Sequence, residues 1–415
     1  MREMKDSGLQ WAGNIPYDWN TTKGKYFMAI LERPIKDDDG VITCFRNGEV
    51  TLRANRREDG FTIATVEAGY QGIEPGDLVI HGMDGFAGAI GISDSRGKGT
   101  PALNVLACSE NKKYIMYLLR AMAYTEVFMA LSTGIRVRTC DTNWKKLRSL
   151  DYLIPPEEEQ QRIADFLDDK CAEIDTLTAD IQTQIDTLEQ YKRSVNTETV
   201  TKGLDPDAEM KDSGIQWIGN MPVHWDVIRG KYILRYMQKP VREDDGVITC
   251  FRDGEVTLRS NRREDGFTMS DKEIGYQGID VGDLVVHGMD GFAGSIGISD
   301  SRGKASPVLN VLDTDQCKRY IMYYLRSMAY SDVFLALATG IRVRSCDLRW
   351  NKLAELSYPV PPLDEQNAIV KHIDSVLSKA DAVIADKKAQ LATLDEYKKS
   401  LIFEYVTGKK EVPTS

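Results

Sequence analysis

The chain repeats itself with a constant spacing of 206 residues. The segment Asp38–Arg46 returns unchanged as Asp244–Arg252, and 38 of 59 positions are identical between Met4–Thr62 and Met210–Thr268. A register kept over this distance is too long for a solenoid repeat, whose units run ~20–50 residues. The chain therefore holds two copies of one domain-sized unit, and two such copies can form a molecule of pseudo-two-fold symmetry.

Length and composition are ordinary for a protein with more than one core. The 415 residues are 42% hydrophobic and 28% charged. No uninterrupted apolar run approaches the ~18 residues of a membrane span, and the polar start lacks a secretory apolar segment. We expect a cytoplasmic protein that does not bind membranes.

The cysteine pattern argues against disulfides and zinc sites. There are seven cysteines and none lies in a CxxC pair. Cys44 and Cys250 are repeat copies, as are Cys140 and Cys346, and we expect buried free thiols at these positions.

Charge is distributed unevenly along the chain. The net charge of −10 by itself argues against a nucleic-acid-binding protein. However, residues 40–150 carry 14 Lys and Arg against 11 Asp and Glu, whereas residues 151–206 carry 5 against 14. A mildly basic globule joined to an acidic segment fits a protein that contacts DNA with one part and protein with another.

The first part of each copy is predicted to be a mixed globular domain. Asp77–His81 and Ala89–Ser93 are expected to be short strands, and Lys113–Leu131 has the apolar spacing of a buried helix. The glycine-rich Gly82–Gly88 between the strands superficially resembles a phosphate cradle. Because the next segment is predicted to be a strand and not a helix, a hairpin is favoured.

The second part of each copy is predicted to be a long helix that begins after Pro155-Pro156 or Pro361-Pro362. Apolar residues recur there every seven positions, as in a coiled coil. The first stripe is Leu167, Ile174, Ile181, Leu188 and Val195, with Leu177 and Tyr191 at intermediate positions. The second stripe is Ile373, Ala380, Lys387, Leu394 and Leu401, with Val376, Val383 and Tyr397 between them. We expect the two helices to pair with each other in antiparallel orientation.

Lys387 stands where the first stripe has Ile181. One explanation is a partly exposed lysine whose stem lies along the seam. The other is a register device, a polar residue that rejects misaligned pairings. In either case we expect Asp168 or Asp175 to accept its charge.

Candidate catalytic residues are hard to find. The sequence has no HExxH, no Walker loop and no recognisable nucleophile elbow. A self-sufficient methyltransferase would need its own methyl-donor pocket, and no glycine-rich signature for one is present. A non-catalytic binding protein is therefore favoured, and a duplicated protein-binding adaptor stays open.

Basic and polar clusters, each present twice, are the candidate DNA contacts. Arginine and asparagine can contact guanine and adenine edges bidentately, and arginine or lysine binds phosphate; the alternative is a solvated surface of scattered ion pairs. The candidates in the first copy are Arg53, Asn55, Arg56, Arg57, His81, Arg96, Lys98, Thr133, Arg136 and Arg138. Those in the second copy are Arg259, Asn261, Arg262, Arg263, His287, Arg302, Lys304, Thr339, Arg342 and Arg344.

Four motifs, each present twice in the same order, carry a resemblance to a known family. They are the openings Ser7–Trp19 and Ser213–Trp225, the hairpin around Gly76–Gly88, the turns beginning Thr133-Gly134 and Thr339-Gly340, and the helix starts at Pro155 and Pro361. Over nearly the whole chain they resemble the specificity (S) subunit of Type I restriction-modification systems.

The resemblance implies an α+β architecture without catalysis of its own. Two α/β target recognition domains, residues 1–154 and 206–360, would each bind half of a bipartite site on double-stranded DNA. The helices, residues 155–205 and 361–415, would form the antiparallel coiled coil, set the spacer and dock two modification (M) subunits. The M subunits would carry S-adenosylmethionine for adenine-N6 methylation, and restriction (R) subunits would use ATP and Mg. A methylation-only complex without R subunits is the alternative.

The two copies are more alike than is usual in that family. Near-identical residues at Asn55–Phe61 and Asn261–Phe267 would present the same donors and acceptors. We therefore expect two half-sites of the same sequence in inverted orientation, an interrupted palindrome. Residual differences such as Ala89 against Ser295 would alter one base.

Overall fold

The computed structural model describes residues 2–56, 68–130, 142–262, 273–336 and 348–413. The chain divides into two compact units. Unit 1 comprises Met1–Ile181 and Lys388–Ser415, and unit 2 comprises Gln182–Lys387. Each unit thus contains one globular part of the repeat together with half of each long helix.

Unit 1 is built from short antiparallel strands. They are β1 Met4–Asp6, β2 Asn14–Pro16, β3 Asn20–Lys23, β4 Met28–Ile30, β5 Ile42–Cys44, β6 Val50–Leu52, β7 Gln71–Ile73, β8 Leu78–His81, β9 Ile90–Ile92, β10 Gly97–Gly99, β11 Leu103–Cys108 and β12 Asp151–Ile154. A four-stranded sheet has the order β4-β11-β8-β9, and β1-β2, β3-β12, β5-β6 and β7-β10 form pairs. Because β8 pairs directly with β9, the predicted hairpin around Gly82–Gly88 is confirmed.

The short helices of unit 1 are α1 Lys112–Tyr124, α2 Val127–Ala130 and α3 Trp144–Leu147. The prediction of one continuous helix over Lys113–Leu131 is wrong. Glu126 adopts a left-handed φ of 60° between α1 and α2, and this conformation ends an α-helix. Apolar spacing continues across the break because both helices bury residues in the same core.

Two long helices, α4 Glu157–Lys202 and α9 Leu363–Val406, begin directly after their proline pairs. In unit 1, Lys398 Nζ lies 2.6 Å from Asp175 Oδ1, and the rings of Phe166 and Tyr405 are 4.5 Å apart. Residue numbers that rise along one helix fall along the other, so the pairing is antiparallel as predicted. No helix among the described residues is long and apolar enough to cross a membrane.

Unit 2 repeats the globular part of unit 1. Its strands are β13 Met210–Asp212, β14 Asn220–Pro222, β15 Asp226–Arg229, β16 Leu234–Tyr236, β17 Ile248–Cys250, β18 Val256–Leu258, β19 Gln277–Ile279, β20 Leu284–His287, β21 Ile296–Ile298, β22 Gly303–Ala305, β23 Leu309–Thr314 and β24 Ser357–Val360. Its short helices are α5 Gly230–Ile233, α6 Lys318–Tyr330, α7 Val333–Ala336 and α8 Trp350–Glu355. The four-stranded sheet has the corresponding order β16-β23-β20-β21. Lys192 Nζ lies 2.6 Å from Asp381 Oδ1, and Lys387 contacts Gln184, so residue numbers again rise along one helix half and fall along the other, and the pairing is antiparallel too.

The helix halves share a core with the globular part of their unit. In unit 1, Ile163 and Ile402 belong to the same buried cluster as Trp19 and Leu119. The Trp19 indole N–H donates to Glu159 at 3.0 Å, and Trp225 donates to Glu365 at 3.1 Å. Both tryptophans are fully buried, so they anchor the opening segment of each copy in its core.

The stripe at every seventh residue is buried in α4 at Leu167, Ile174 and Ile181, and in α9 at Ile373, Ala380 and Leu401. Leu188, Val195, Lys387 and Leu394 are partly buried. Of the five predicted intermediate positions, Val376 is partly buried, and the other four were predicted wrongly. Leu177, Tyr191, Val383 and Tyr397 are exposed, whereas residues four positions after the stripe, such as Cys171, Ile185 and Ile384, are buried.

Lys387 contacts neither of the two predicted acids. Its ammonium donates to the side-chain oxygen of Gln184 within unit 2. Asp168 instead accepts from Lys113 and Tyr117, and Asp175 accepts from Lys398. The expectation was wrong because the observed register places α4 residue 184 opposite Lys387.

The described cysteines are free. Cys44, Cys171 and Cys250 are buried, and burial raises the pKa of the Cys44 and Cys250 thiols to about 12. The prediction of buried thiols is therefore confirmed for Cys44 and Cys250; Cys140 and Cys346 lie outside the described residues.

Candidate nucleic-acid interface

The β5–β6 hairpin and the short 3-10 turn after it bring the first basic cluster together. Arg53 Nε donates to Thr43 Oγ1 at 3.0 Å, which ties the turn to the hairpin. The Arg56 guanidinium lies 4.2 Å from the centre of the Phe45 ring, a cation–π contact. Its Nη1 also lies 3.2 Å from Glu49 Oε2.

The turn after β8 is joined to the same hairpin. His81 Nδ1 accepts hydrogen bonds from the backbone N–H groups of Met83 and Asp84, at 3.3 and 3.1 Å. Asp84 in turn pairs with Arg46 at 2.7 Å. Burial lowers the pKa of His81, partly opposed by Asp84, so the imidazole is neutral at pH 7 and Nε2 carries its proton.

These groups form a surface that occurs once in each unit, which we call the hairpin surface. Its members in unit 1 are Phe45, Arg46, Arg53, Asn55, Arg56 and His81, and in unit 2 Phe251, Arg252, Arg259, Asn261, Arg262 and His287. Unit 2 repeats the internal contacts, with Arg259 donating to Thr249 at 2.9 Å and Arg262 4.3 Å from the centre of the Phe251 ring. The predicted clusters around Arg53 and His81 therefore lie on one surface.

An arginine holds the tip of each hairpin, and it is buried in the first copy and partly buried in the second. Arg120 on α1 donates to the carbonyl oxygens of Ile90 at 2.8 Å and Gly48 at 3.0 Å. Gly48 has a φ of +86°, and a Cβ there would lie 1.9 Å from the guanidinium. In unit 2, Arg326 makes the same two bonds to Ile296 and Gly254. The hairpin tip is thus held against α1 or α6 by hydrogen bonds from an arginine side chain to backbone carbonyl oxygens, and this close approach requires glycine at the turn.

Arg96 and Arg302 lie apart from the hairpin surface and have internal partners. Arg96 Nε donates to Asp39 at 3.0 Å, and a second guanidinium nitrogen pairs with Glu74. The hydrogen bonds from Arg96 lower the pKa of Asp39, whose side chain is 2% exposed. Arg302 pairs in the same way with Asp245 at 2.9 Å and Asp280 at 2.5 Å.

The two predicted lysines, Lys98 and Lys304, lie in strands β10 and β22, two residues after Arg96 and Arg302. Lys304 Nζ pairs with Glu273 at 2.8 Å. Lys98 lies in β10, where its backbone N–H donates to Gly40 at 2.8 Å. The Lys304 ammonium is therefore paired with a carboxylate that is not part of the hairpin surface.

Several candidate residues fall outside the described ranges: Arg57, Thr133, Arg136, Arg138, Arg263, Thr339, Arg342 and Arg344. The described residue next to one of these gaps, Thr142, donates to the carbonyl oxygens of His81 and Gly82 at 3.2 and 3.0 Å. Arg56, which precedes another gap, belongs to the hairpin surface itself. Within the described ranges, no group of His, Cys, Asp and Glu could hold a metal ion.

Sequence reasoning missed the outermost cation of the hairpin surface. Arg46 is 65% exposed, and its counterpart Arg252 is equally so. A signal was present, because both arginines end the block Asp38–Arg46 that returns unchanged in the second copy. Phe45, which stacks on Arg56, lies in the same block.

Comparisons with known proteins agree with the resemblance in the motifs. The chain is 25% identical over 446 residues to the putative type I restriction enzyme MjaX specificity subunit of Methanocaldococcus jannaschii, covering 97% of this chain and 96% of that protein. It is 24% identical over 324 residues to the type I restriction enzyme MjaVIII specificity subunit of the same organism, covering 73% and 72%. No family model matches the chain.

A solved structure shares the fold. The chain superimposes with a TM-score of 0.67, at 12% identity, on a chain of a type I R-M system solved to explain its complex assembly and conformational transition. The match covers 95% of this chain and 99% of that chain. The predicted α+β architecture is confirmed, and so is the predicted resemblance to type I specificity subunits.

Proposed function

We propose that this homologue of type I specificity subunits is the DNA-reading, non-catalytic subunit of a Type I restriction-modification complex. The observation that carries the proposal is the similarity to a specificity subunit over 97% of the chain. The duplicated architecture supports it, because two copies of one globular part suit two half-sites on double-stranded DNA.

The hairpin surface is the proposed DNA contact of each unit. Exposed Arg46 suits phosphate or a guanine edge, and Asn55 suits an adenine edge. Arg57, Arg136 and Arg138 lie outside the described residues and are proposed to add further contacts. Arg96 and Arg302 are assigned to the fold, since their guanidinium groups are already held by buried carboxylates.

The long helices are proposed to set the spacer between the half-sites and to dock two M subunits. Helix α4 has 46 residues, about 69 Å at ~1.5 Å per residue. The M subunits would supply S-adenosylmethionine and the adenine-N6 methylation, and R subunits would add ATP- and Mg-dependent restriction. This chain would supply sequence specificity only.

Methylome sequencing tests the proposal most directly. The chain, coexpressed with its M subunit in a methylation-free host, should place N6-methyladenine in one bipartite motif with related, inverted halves. Omitting the chain should abolish the motif, and the purified chain alone should transfer no methyl group. Methylation of the motif without the chain would contradict the proposal. A motif with unrelated halves would contradict only the prediction that the site is an interrupted palindrome.

DNA binding by the chain itself can be measured by gel shift. Affinity should fall steeply with salt, because each neutralised phosphate contributes a slope of about −0.9 in log K against log salt. A duplicated protein-binding adaptor would show no such binding.

A further inference from the structure

A pocket of about 690 Å³ lies within the hairpin surface of unit 2. It is bounded by the tip of the β17–β18 hairpin, by Arg262 and by the turn after β20 that holds His287 and Asp290. Nine residues line it, and seven of them are identical at the corresponding positions of the first copy. The two that differ are Asp253, which replaces Asn47, and Ser295, which replaces Ala89.

Ser295 has an unsatisfied polar group at the floor of this pocket. The residue is 1% exposed, and its hydroxyl has no hydrogen-bond partner among the described residues. Its backbone oxygen, in contrast, accepts from His287 N–H at 3.0 Å. Buried hydroxyls are nearly always paired, so an unpaired one that lines a pocket points to a group supplied from outside.

Asp253 changes the charge at the mouth of the same pocket. Arg262 pairs with Asp253 at 2.5 Å and with Glu255 at 3.3 Å. In the first copy, Arg56 has one carboxylate partner, Glu49, and in place of the second carboxylate its Nη1 donates to the amide oxygen of Asn47 at 3.3 Å. An asparagine offers a donor and an acceptor, whereas an ionised aspartate only accepts.

We propose that this pocket reads the edge of one base in the second half-site, and that Asp253 and Ser295 make that base pair differ from its counterpart in the first half-site. The ligand class is a base edge with an amino group, adenine N6 or cytosine N4, which can donate to a carboxylate or hydroxyl oxygen. A phosphate is disfavoured because the two arginines of the pocket, Arg252 and Arg262, are paired with Asp290 and Asp253, which leaves no net positive charge to attract it. The inference rests on the proposed function, since it assumes that the hairpin surface faces DNA.

A reciprocal exchange between the copies tests the assignment. The full chain and two variants are used to select sequences from randomised duplex DNA. Asp253→Asn with Ser295→Ala converts the second pocket into the first, and Asn47→Asp with Ala89→Ser does the reverse. Melting curves verify that each variant is folded; removal of an unpaired hydroxyl should leave the melting temperature unchanged or raised.

The wild-type chain should select two inverted half-sites that differ at one base pair. Asp253→Asn/Ser295→Ala should select identical halves and should bind the wild-type site about tenfold more weakly, as expected for one hydrogen bond. Asn47→Asp/Ala89→Ser should also give identical halves, now both of the second kind. The assignment would be overturned if the wild-type chain selected two identical half-sites, or if the half-sites still differed with both exchange variants. Either result would leave the proposed function intact. Failure of the wild-type chain to select any sequence would overturn the proposed function and the assignment with it.

Discussion

At the residue scale, arginines of similar appearance in the sequence have different surroundings. Arg46 is exposed at the hairpin tip, whereas Arg96 is bound to Asp39 and Glu74. We expect Arg46→Gln to weaken DNA binding and to flatten its salt dependence by about one unit if it contacts a phosphate, with little change in melting temperature. Arg96→Gln should instead lower the melting temperature, because it leaves the nearly buried Asp39 carboxylate without its partner.

Gel shifts at several salt concentrations and melting curves on the same preparations separate these two roles. The same comparison can be repeated in the second copy, where Arg252→Gln corresponds to Arg46→Gln and Arg302→Gln corresponds to Arg96→Gln. A destabilised Arg46→Gln chain with unaltered DNA affinity would contradict the assignment of Arg46 to the DNA contact.

The two turn histidines predict a pH dependence of stability. Burial lowers the pKa of His81 and His287 below the usual ~6.5, so the unfolded chain takes up protons first as the pH falls. Their contribution to stability is therefore complete above about pH 6.5 and is lost as the pH falls towards the folded pKa values. The double variant His81→Gln/His287→Gln should show a smaller decrease in melting temperature between pH 7.5 and pH 5.5 than the unmodified chain. An equal decrease in both would show that other groups cause it.

At the scale of elements, the long helices pair through positions that a heptad pattern leaves ambiguous. Apolar residues at the third or the fourth position after the stripe are both compatible with seven-residue periodicity. In the structure the fourth position after the stripe faces the partner helix, since Ile185 and Ile384 are buried there. Lys192 and Lys398, also at fourth positions, form ion pairs across the seam with Asp381 and Asp175 respectively.

Lys387 is the polar interruption of this seam. We expect Lys387→Leu to raise the melting temperature, since it removes a polar group from a partly buried stripe position, and to promote helix-swapped oligomers or a less uniform spacer. Lys388→Leu, at an exposed neighbouring position, is the control. Melting curves and size-exclusion chromatography distinguish the outcomes. A less stable, strictly monomeric Lys387→Leu chain would identify Lys387 as an ordinary surface lysine.

At the scale of the whole molecule, the duplication predicts that half of the chain can replace the other half. A chain ending after Gly203 lacks the segment Lys388–Ser415, which belongs to unit 1. The end of α4 from a second copy can take its place, because Asn196 and Val200 already make the equivalent contacts in unit 2. There Asn196 donates to Tyr323 O at 3.0 Å, and Val200 O accepts from Tyr320 at 3.1 Å. Tyr117 and Tyr114 occupy the same positions in the first copy.

We therefore expect the chain truncated after Gly203 to homodimerise and, together with the M subunit, to methylate a site built of two first-type halves. Light scattering gives the mass, and methylome sequencing gives the motif. Asn196→Asp in the truncated chain should weaken the dimer, since a buried carboxylate cannot donate to the tyrosine carbonyl oxygen. A monomeric fragment, or one that methylates no site, would contradict the prediction.

Much of the architecture follows from the sequence alone. The duplication, the hairpin around Gly82–Gly88, the helices after Pro155-Pro156 and Pro361-Pro362 and the clustering of Arg53 with Arg56 are local or periodic features, and short-range geometry specifies them. The resemblance to specificity subunits likewise rests on the order of motifs along the chain.

Only the tertiary structure decided which side chains face one another across the fold. The second seam position at Ile185, the partner of Lys387, the internal pairing of Arg96 and the exposure of Arg46 all depend on residues distant in sequence. An arginine or a lysine has the same local preferences in each of these settings. Its role is set by whether packing places a carboxylate, an amide or solvent beside it, and local sequence patterns do not contain that information.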